Sequence, residues 1–215
     1  LQTFKLTDQI TGRTLGIRAD ITPQAARIDA HQLRRDCPTR LCYLGTVLNT
    51  RVGALDASRS PLQTGAELYG HAGIEADLEI LCLMRDSLLL AGLEGVYLDL
   101  GHVGIFRGLA RQAGLQHNQE IALFEALQRK AIPELEALVQ DFGLDRQLGE
   151  MMTALAEHCG EDALAQAEQR LSGATDEAPA ALAELRRVAD QLSLRRPDIP
   201  VHYDLSELVG YHYHT

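Results

Sequence analysis

The stretch Leu62-Gln63-Thr64-Gly65-Ala66-Glu67-Leu68-Tyr69-Gly70 has the residue types and spacing to hold a small polar cation. Side chains alternate faces along a strand, so Gln63, Gly65 and Glu67 share one surface. An amide and a carboxylate then flank a position with no side chain. Glycine inside a strand marks a place where a ligand or another backbone comes close. A carboxylate beside a neutral donor and acceptor suits the ammonium of an amino acid. The same alternation also fits an edge strand with one solvated polar face. Asp20 and Thr22 fall at a strand-to-helix junction, a common place for ligand groups. Thr22 is also a good helix N-cap before Pro23, and Asp20 there favours the positive end of the helix dipole.

Other candidates carry less. Asp99-Leu100-Gly101-His102 puts a histidine at a strand end before a helix, where it serves as a base or as a cap. His212 and His214 alternate with tyrosines at strand spacing, but no third ligand lies nearby, so no metal is expected. Cys37, Cys42, Cys82 and Cys159 form no CxxC pair, which points to neither a zinc site nor a disulfide framework. The Gly-rich phosphate loops, the GxSxG elbow and HExxH are all missing, and no cofactor is expected.

These residues need elements to position them. Residues 1–7 and 13–19 read as strands around a turn at 9–12, and Thr22 opens a helix running to about Arg35. Strands over 40–49 and 61–70 form an antiparallel hairpin. A helix over 75–90, a strand over 96–100 and a helix over 103–113 follow. From His117 to Leu194 the chain is rich in Ala, Leu, Glu and Gln. It reads as four or five helices broken at Ile132-Pro133, Phe142-Gly143, Cys159-Gly160 and 173–179. Residues 200–203 and 209–215 return to strand character, so the fold class is α+β, with a helical block inserted between strands of one sheet.

A chain of 215 residues, 46% hydrophobic, can bury a real core. A net charge of −10 argues against a surface built to bind nucleic acid. With no apolar run of membrane-spanning length and no signal peptide pattern, a cytoplasmic protein with no membrane partner is expected. Leu1 begins inside one apparent strand and Thr215 ends another, so a longer protein is expected.

Three segments together resemble the core of histidyl-tRNA synthetase, a class II synthetase. Ile17-Arg18-Ala19-Asp20-Ile21-Thr22 resembles that family's Leu-Arg-Pro-Glu-Gly-Thr segment. Gly45 to Gly70 resembles its motif 2 hairpin, including the Gln-x-Gly-x-Glu run at Gln63, Gly65 and Glu67. Gly210-Tyr211-His212-Tyr213-His214-Thr215 resembles its Gly-Leu-Asp-Tyr-Tyr-Thr segment. The resemblance implies a class II synthetase-like antiparallel sheet flanked by helices. Its core would span residues 1–116 and 200–215, with a helical insertion over 117–199. It also implies a pocket for a histidine-like ligand from Asp20, Thr22, Gln63, Glu67 and Tyr213.

The departures from that pattern are specific. The motif 2 arginine that contacts the ATP α-phosphate aligns with Asn49, a second loop arginine with Val52, and a catalytic arginine with Val209. An adenine-contacting glutamate aligns with Arg51. Losing two charge-assisted contacts to phosphate should cost about 4–6 kcal/mol, or roughly 10³- to 10⁴-fold in adenylation. Asn and Val cannot substitute, because neither carries charge. A second likeness is to a paralogous family, the regulatory subunits of short-form ATP phosphoribosyltransferase. Segments 18–24, 100–105 and 210–215 are similar to that family. This likeness implies a non-catalytic subunit with no aminoacylation activity of its own. Its partner would be a catalytic ATP phosphoribosyltransferase subunit, its effector histidine, and its assembly a hetero-oligomer containing homodimers. The alternative is an active histidyl-tRNA synthetase or a related amino-acid-activating enzyme.

Overall fold

A computed structural model describes residues 3–51, 58–175 and 177–208. The chain divides into two compact units, Leu1–Leu83 and Met84–Thr215. The class is mixed α+β, and the described strands fall into three small sheets, the last of which includes a parallel pair.

In the first unit, β1 (Lys5–Thr7) and β2 (Thr14–Gly16) pair antiparallel with Leu6 opposite Leu15. Helix α1 (Thr22–Ile28) carries Pro23 in its first turn and continues as a π-helical turn over Asp29–Leu33. The Arg34 N–H closes that turn on Asp29 O, and Arg34 itself is left-handed, with φ of 47°. The helical segment therefore stops just short of the expected Arg35. Strands β3 (Thr39–Thr46) and β4 (Leu62–Tyr69) form the expected hairpin, with Tyr43 opposite Gly65 and Leu41 opposite Glu67. Helix α2 (Ile74–Leu90) follows, and the division between the units falls within it. Among the described residues of this unit, Ile21, Ala25, Val47 and Leu78 are the buried hydrophobic side chains.

The second unit is mostly helical. Strand β5 (Leu98–Leu100) leads into α3 (Val103–Gln112), α4 (His117–Gln128), α5 (Ile132–Asp141) and α6 (Arg146–Glu157). A two-residue strand β6 (Cys159–Gly160), α7 (Ala163–Arg170), α8 (Glu177–Arg195) and β7 (Val201–Asp204) complete it. Strands β5 and β7, which flank the helical run, pair in parallel, and β6 pairs antiparallel with β7. The helix breaks have local causes. Pro133 sits in the first turn of α5, where its missing N–H costs nothing. Gly143 ends α5 at φ of 66°, a conformation that penalises any residue with a Cβ. Asp145 caps α6 by accepting from Leu148 N at 3.0 Å. Phe106, Leu109, Leu123, Leu127, Met152 and Leu192 are almost wholly buried in this core.

Helices α3 and α8 meet at Gly108. A Cβ there would lie 2.6 Å from Ala178 N and 2.9 Å from Ala178 Cβ. Helix propensity favours Ala over Gly by about 1 kcal/mol, but overpacking against a backbone costs about 1–3 kcal/mol. Gly108→Ala is therefore expected to destabilise the protein in urea unfolding, against its propensity. Unchanged or raised stability would show that α8 moves aside freely.

At the end of β7, burial by itself would raise the Asp204 carboxyl. Hydrogen bonds from Lys130 Nζ (2.6 Å) and Ser206 Oγ (2.7 Å) outweigh burial and hold it below its ordinary value. A depressed carboxylate contributes stability above its unfolded value, near 3.8, and loses it as pH falls through the lower folded value. Asp204→Asn should therefore be less stable than the natural protein at neutral pH, and the gap should close below pH 3.8. Urea unfolding over a pH series measures it.

Candidate functional site

The face of the β3–β4 hairpin that carries Gln63, Gly65 and Glu67 meets the start of α1, and there four of the five expected pocket residues come together. Gln63 Nε2 donates to Asp20 Oδ1 at 2.8 Å, and Gln63 Oε1 accepts from Ile21 N at 2.9 Å. Asp20 Oδ1 also accepts from Thr22 N at 3.1 Å. Thr22 Oγ1 donates to Glu67 Oε1 at 2.8 Å, and the Tyr43 hydroxyl lies 2.8 Å from the same Thr22 oxygen. Asp20, Thr22, Gln63 and Glu67 are all half-buried. Tyr213, the fifth, lies outside the described residues, as do Val52, Val209, His212 and His214.

Two expectations need correction. Thr22 is not the N-cap. Ile21 holds that position without a side-chain cap, and the helix begins with Thr22 itself. The Thr22 hydroxyl is turned to Tyr43 and Glu67, while Asp20 takes the free N–H of the first turn. The floor at Gly65 is also not empty. A Cβ on Gly65 would lie 2.3 Å from Tyr43 Oη and 2.4 Å from Tyr43 Cζ, so the ring of its cross-strand neighbour lies over the glycine.

Tyr43 and Tyr69 are pocket residues that the sequence reading passed over. Tyr69 shares the face of Glu67 by the same alternation. Tyr43 shares it because directly opposed residues of an antiparallel pair point to one side. The buried Tyr69 hydroxyl lies close to Glu67 but outside hydrogen-bonding geometry. Burial first, then the charges of Glu67 and Asp29, push it up to about 12. It stays protonated at any physiological pH.

A valence count shows what this cluster can bind. Thr22 has one proton and gives it to Glu67, so Tyr43 must donate to Thr22. Among the described residues no hydrogen bond reaches Glu67 Oε2 or Asp20 Oδ2. With the Tyr43 oxygen, these unspent atoms are three acceptors; the unspent donors are one Gln63 N–H and the Tyr69 O–H. The cluster is matched to a ligand rich in donors and carrying positive charge, as an ammonium is.

The position aligned with a synthetase arginine differs. Asn49 bridges to Thr3, and its N–H donates to Arg59 O at 2.8 Å, so its backbone is fixed at the end of the hairpin. Two nearby cations are committed elsewhere. Arg18 donates to Thr46 O at 2.9 Å and Gln24 Oε1 at 3.2 Å, and the Arg59 guanidinium lies 5.5 Å above the Phe4 ring. Arg51 is exposed.

His102 caps α3. Its Nδ1 accepts from Gly104 N at 3.0 Å, so the ring proton sits on Nε2, which faces Glu184 Oε2 at 3.5 Å. That spends both ring nitrogens on structure rather than on a base. Among the described residues, no group of three or more His, Cys, Asp or Glu could hold a metal ion, and no helix is long and apolar enough to cross a membrane.

A protein of Pseudomonas paraeruginosa named ATP phosphoribosyltransferase regulatory subunit is 55% identical over 216 residues, covering 100% of this chain and 54% of that protein. The chain thus spans about half the length of the curated relatives it matches. A crystal structure from Bacillus halodurans, described as an ATP phosphoribosyltransferase regulatory subunit/histidyl-tRNA synthetase, matches with a TM-score of 0.86 at 28% identity. It covers 100% of this chain and 55% of that one. The ATP phosphoribosyl transferase (HisG:HisZ) complex from Thermotoga maritima contains a chain with the same fold, at a TM-score of 0.66 and 17% identity over 98% of this chain and 72% of that one. Residues 1–215 match the family model described as histidyl-tRNA synthetase, and the chain belongs to that family.

Proposed function

We propose that this chain is the synthetase-like part of a non-catalytic regulatory subunit of ATP phosphoribosyltransferase. In that role it is required for the first step of histidine biosynthesis and takes part in feedback inhibition by histidine. The observation that carries the reading is the 55% identity across the whole chain to a relative of that name. The site is consistent with it: the acceptors for an ammonium are kept, and the position aligned with the ATP arginine is the uncharged Asn49. Tyr213 completes the pocket in this reading, and Val52 and Val209 are further uncharged replacements on its ATP side. Residues 1–116 and 200–215 form the synthetase-like core, and 117–199 its helical insertion. The partner is a short-form catalytic subunit, the assembly is a hetero-oligomer built from homodimers, and the compartment is the cytoplasm.

Co-expression of the full-length protein with a short-form catalytic subunit tests the reading. The two should copurify, phosphoribosyl transfer should depend on the full-length protein, and histidine should inhibit it. A catalytic subunit equally active alone, with no copurification, would overturn the assignment.

A further inference from the structure

Why the hairpin carries glycine at position 65 follows from the ring that covers it. Tyr43 and Gly65 are directly opposed, and the Tyr43 ring crosses to the β4 side within the space a Cβ would fill. Any side chain at 65 would overlap Oη at 2.3 Å, Cζ at 2.4 Å and Cε2 at 2.8 Å. These distances are far inside van der Waals contact, and the overlap covers the ring as well as the hydroxyl, so a small rotation does not relieve it. The ring would have to leave. Its hydroxyl would then be lost from Thr22 Oγ1, which it now approaches to 2.8 Å.

We propose that Gly65 is a positioning residue for the ligand pocket. By lacking a side chain it seats Tyr43, whose hydroxyl donates to Thr22, which in turn donates to Glu67. The chain has one direction, because the carboxylate can only accept and Thr22 has a single proton. Seated this way, Tyr43 fixes the Thr22 rotamer, holds Glu67 Oε1 in place and presents its own oxygen as a further acceptor to the cation. Glycine in this strand thus serves a neighbouring side chain rather than the ligand itself. This inference rests on the pocket proposed above for histidine.

Two double-mutant cycles on the full-length protein test it. In the first, calorimetry measures the affinity for L-histidine. Tyr43→Phe removes one neutral hydrogen bond and should weaken binding about three- to tenfold. Gly65→Ala should weaken it at least as much, and the combined variant should bind no worse than Gly65→Ala alone. Losses that multiply would mean that Gly65 acts through something other than Tyr43, and would overturn the proposal. The second cycle needs no ligand. Gly65→Ala should lower the melting temperature when Tyr43 is present and leave it nearly unchanged in a Tyr43→Ala background. An equal drop in both backgrounds overturns the proposal. A natural protein that binds no histidine removes the assigned ligand, and the melting cycle still decides whether Gly65 seats Tyr43.

Discussion

Histidine-dependent ATP–pyrophosphate exchange by the full-length protein is expected to run about 10³- to 10⁴-fold slower than in an active histidyl-tRNA synthetase. The loss comes from charge, not from shape. Pentavalent α-phosphate chemistry gathers negative charge on oxygens that water no longer solvates, and fixed cations offset it only if they are in place beforehand. The aligned position here is Asn49, which can offer a neutral donor but no charge. Arg18 and Arg59 do not compensate, since each is engaged: one on Thr46 O and Gln24, the other over the Phe4 ring. Asn49→Arg restores one contact and should recover about ten- to a hundredfold, not full activity. Exchange at an ordinary synthetase rate in the unaltered protein would refute the non-catalytic assignment.

What could be read from the sequence divides along physical lines. The polar face of β4 was legible because the two-residue period of a strand depends only on neighbours in sequence. The helix breaks at Pro133 and Gly143 were legible because those residues act on their own backbone. The filling of Gly65 was not. It depends on which β3 residue stands opposite, a register that a 15-residue connection from Thr46 to Leu62 leaves open until the hairpin is built. Thr22 misled for a related reason. Local preference makes it a cap, whose oxygen accepts from a helix N–H, but in the fold that oxygen accepts from Tyr43 and its proton goes to Glu67, 45 positions away. The π-helical turn after α1 has no glycine or proline to announce it. Tyr69 was legible by the same alternation as Glu67, whereas Tyr43 was visible only as a strand residue, and the pairing shows that it belongs to the pocket.

Glu67→Gln is expected to weaken histidine binding to the full-length protein by about ten- to a hundredfold, because a hydrogen bond to a charged group is worth about 1.5–3 kcal/mol. The variant should keep its fold. Gln retains an oxygen that can accept from Thr22 Oγ1, now at 2.8 Å from Glu67 Oε1, so the Tyr43–Thr22 chain survives. What disappears is the negative charge, together with the second acceptor, Oε2, which becomes an NH₂ group that confronts the ammonium with donors. The position is half-buried, so solvent replaces the lost charge poorly. Tyr69 offers a second readout, because its pKa near 12 owes part of its rise to the Glu67 charge behind the larger effect of burial. In Glu67→Gln, Tyr69 should titrate lower, though still above an exposed tyrosine, in a spectrophotometric titration compared with a Tyr69→Phe control. Histidine affinity that is unchanged while the Tyr69 titration moves would mean that the carboxylate has been neutralised and the ligand does not use it. Histidine would then bind at another place on the protein or its partner, and the cluster at Thr22 and Gln63 would be a structural remnant of the synthetase pocket.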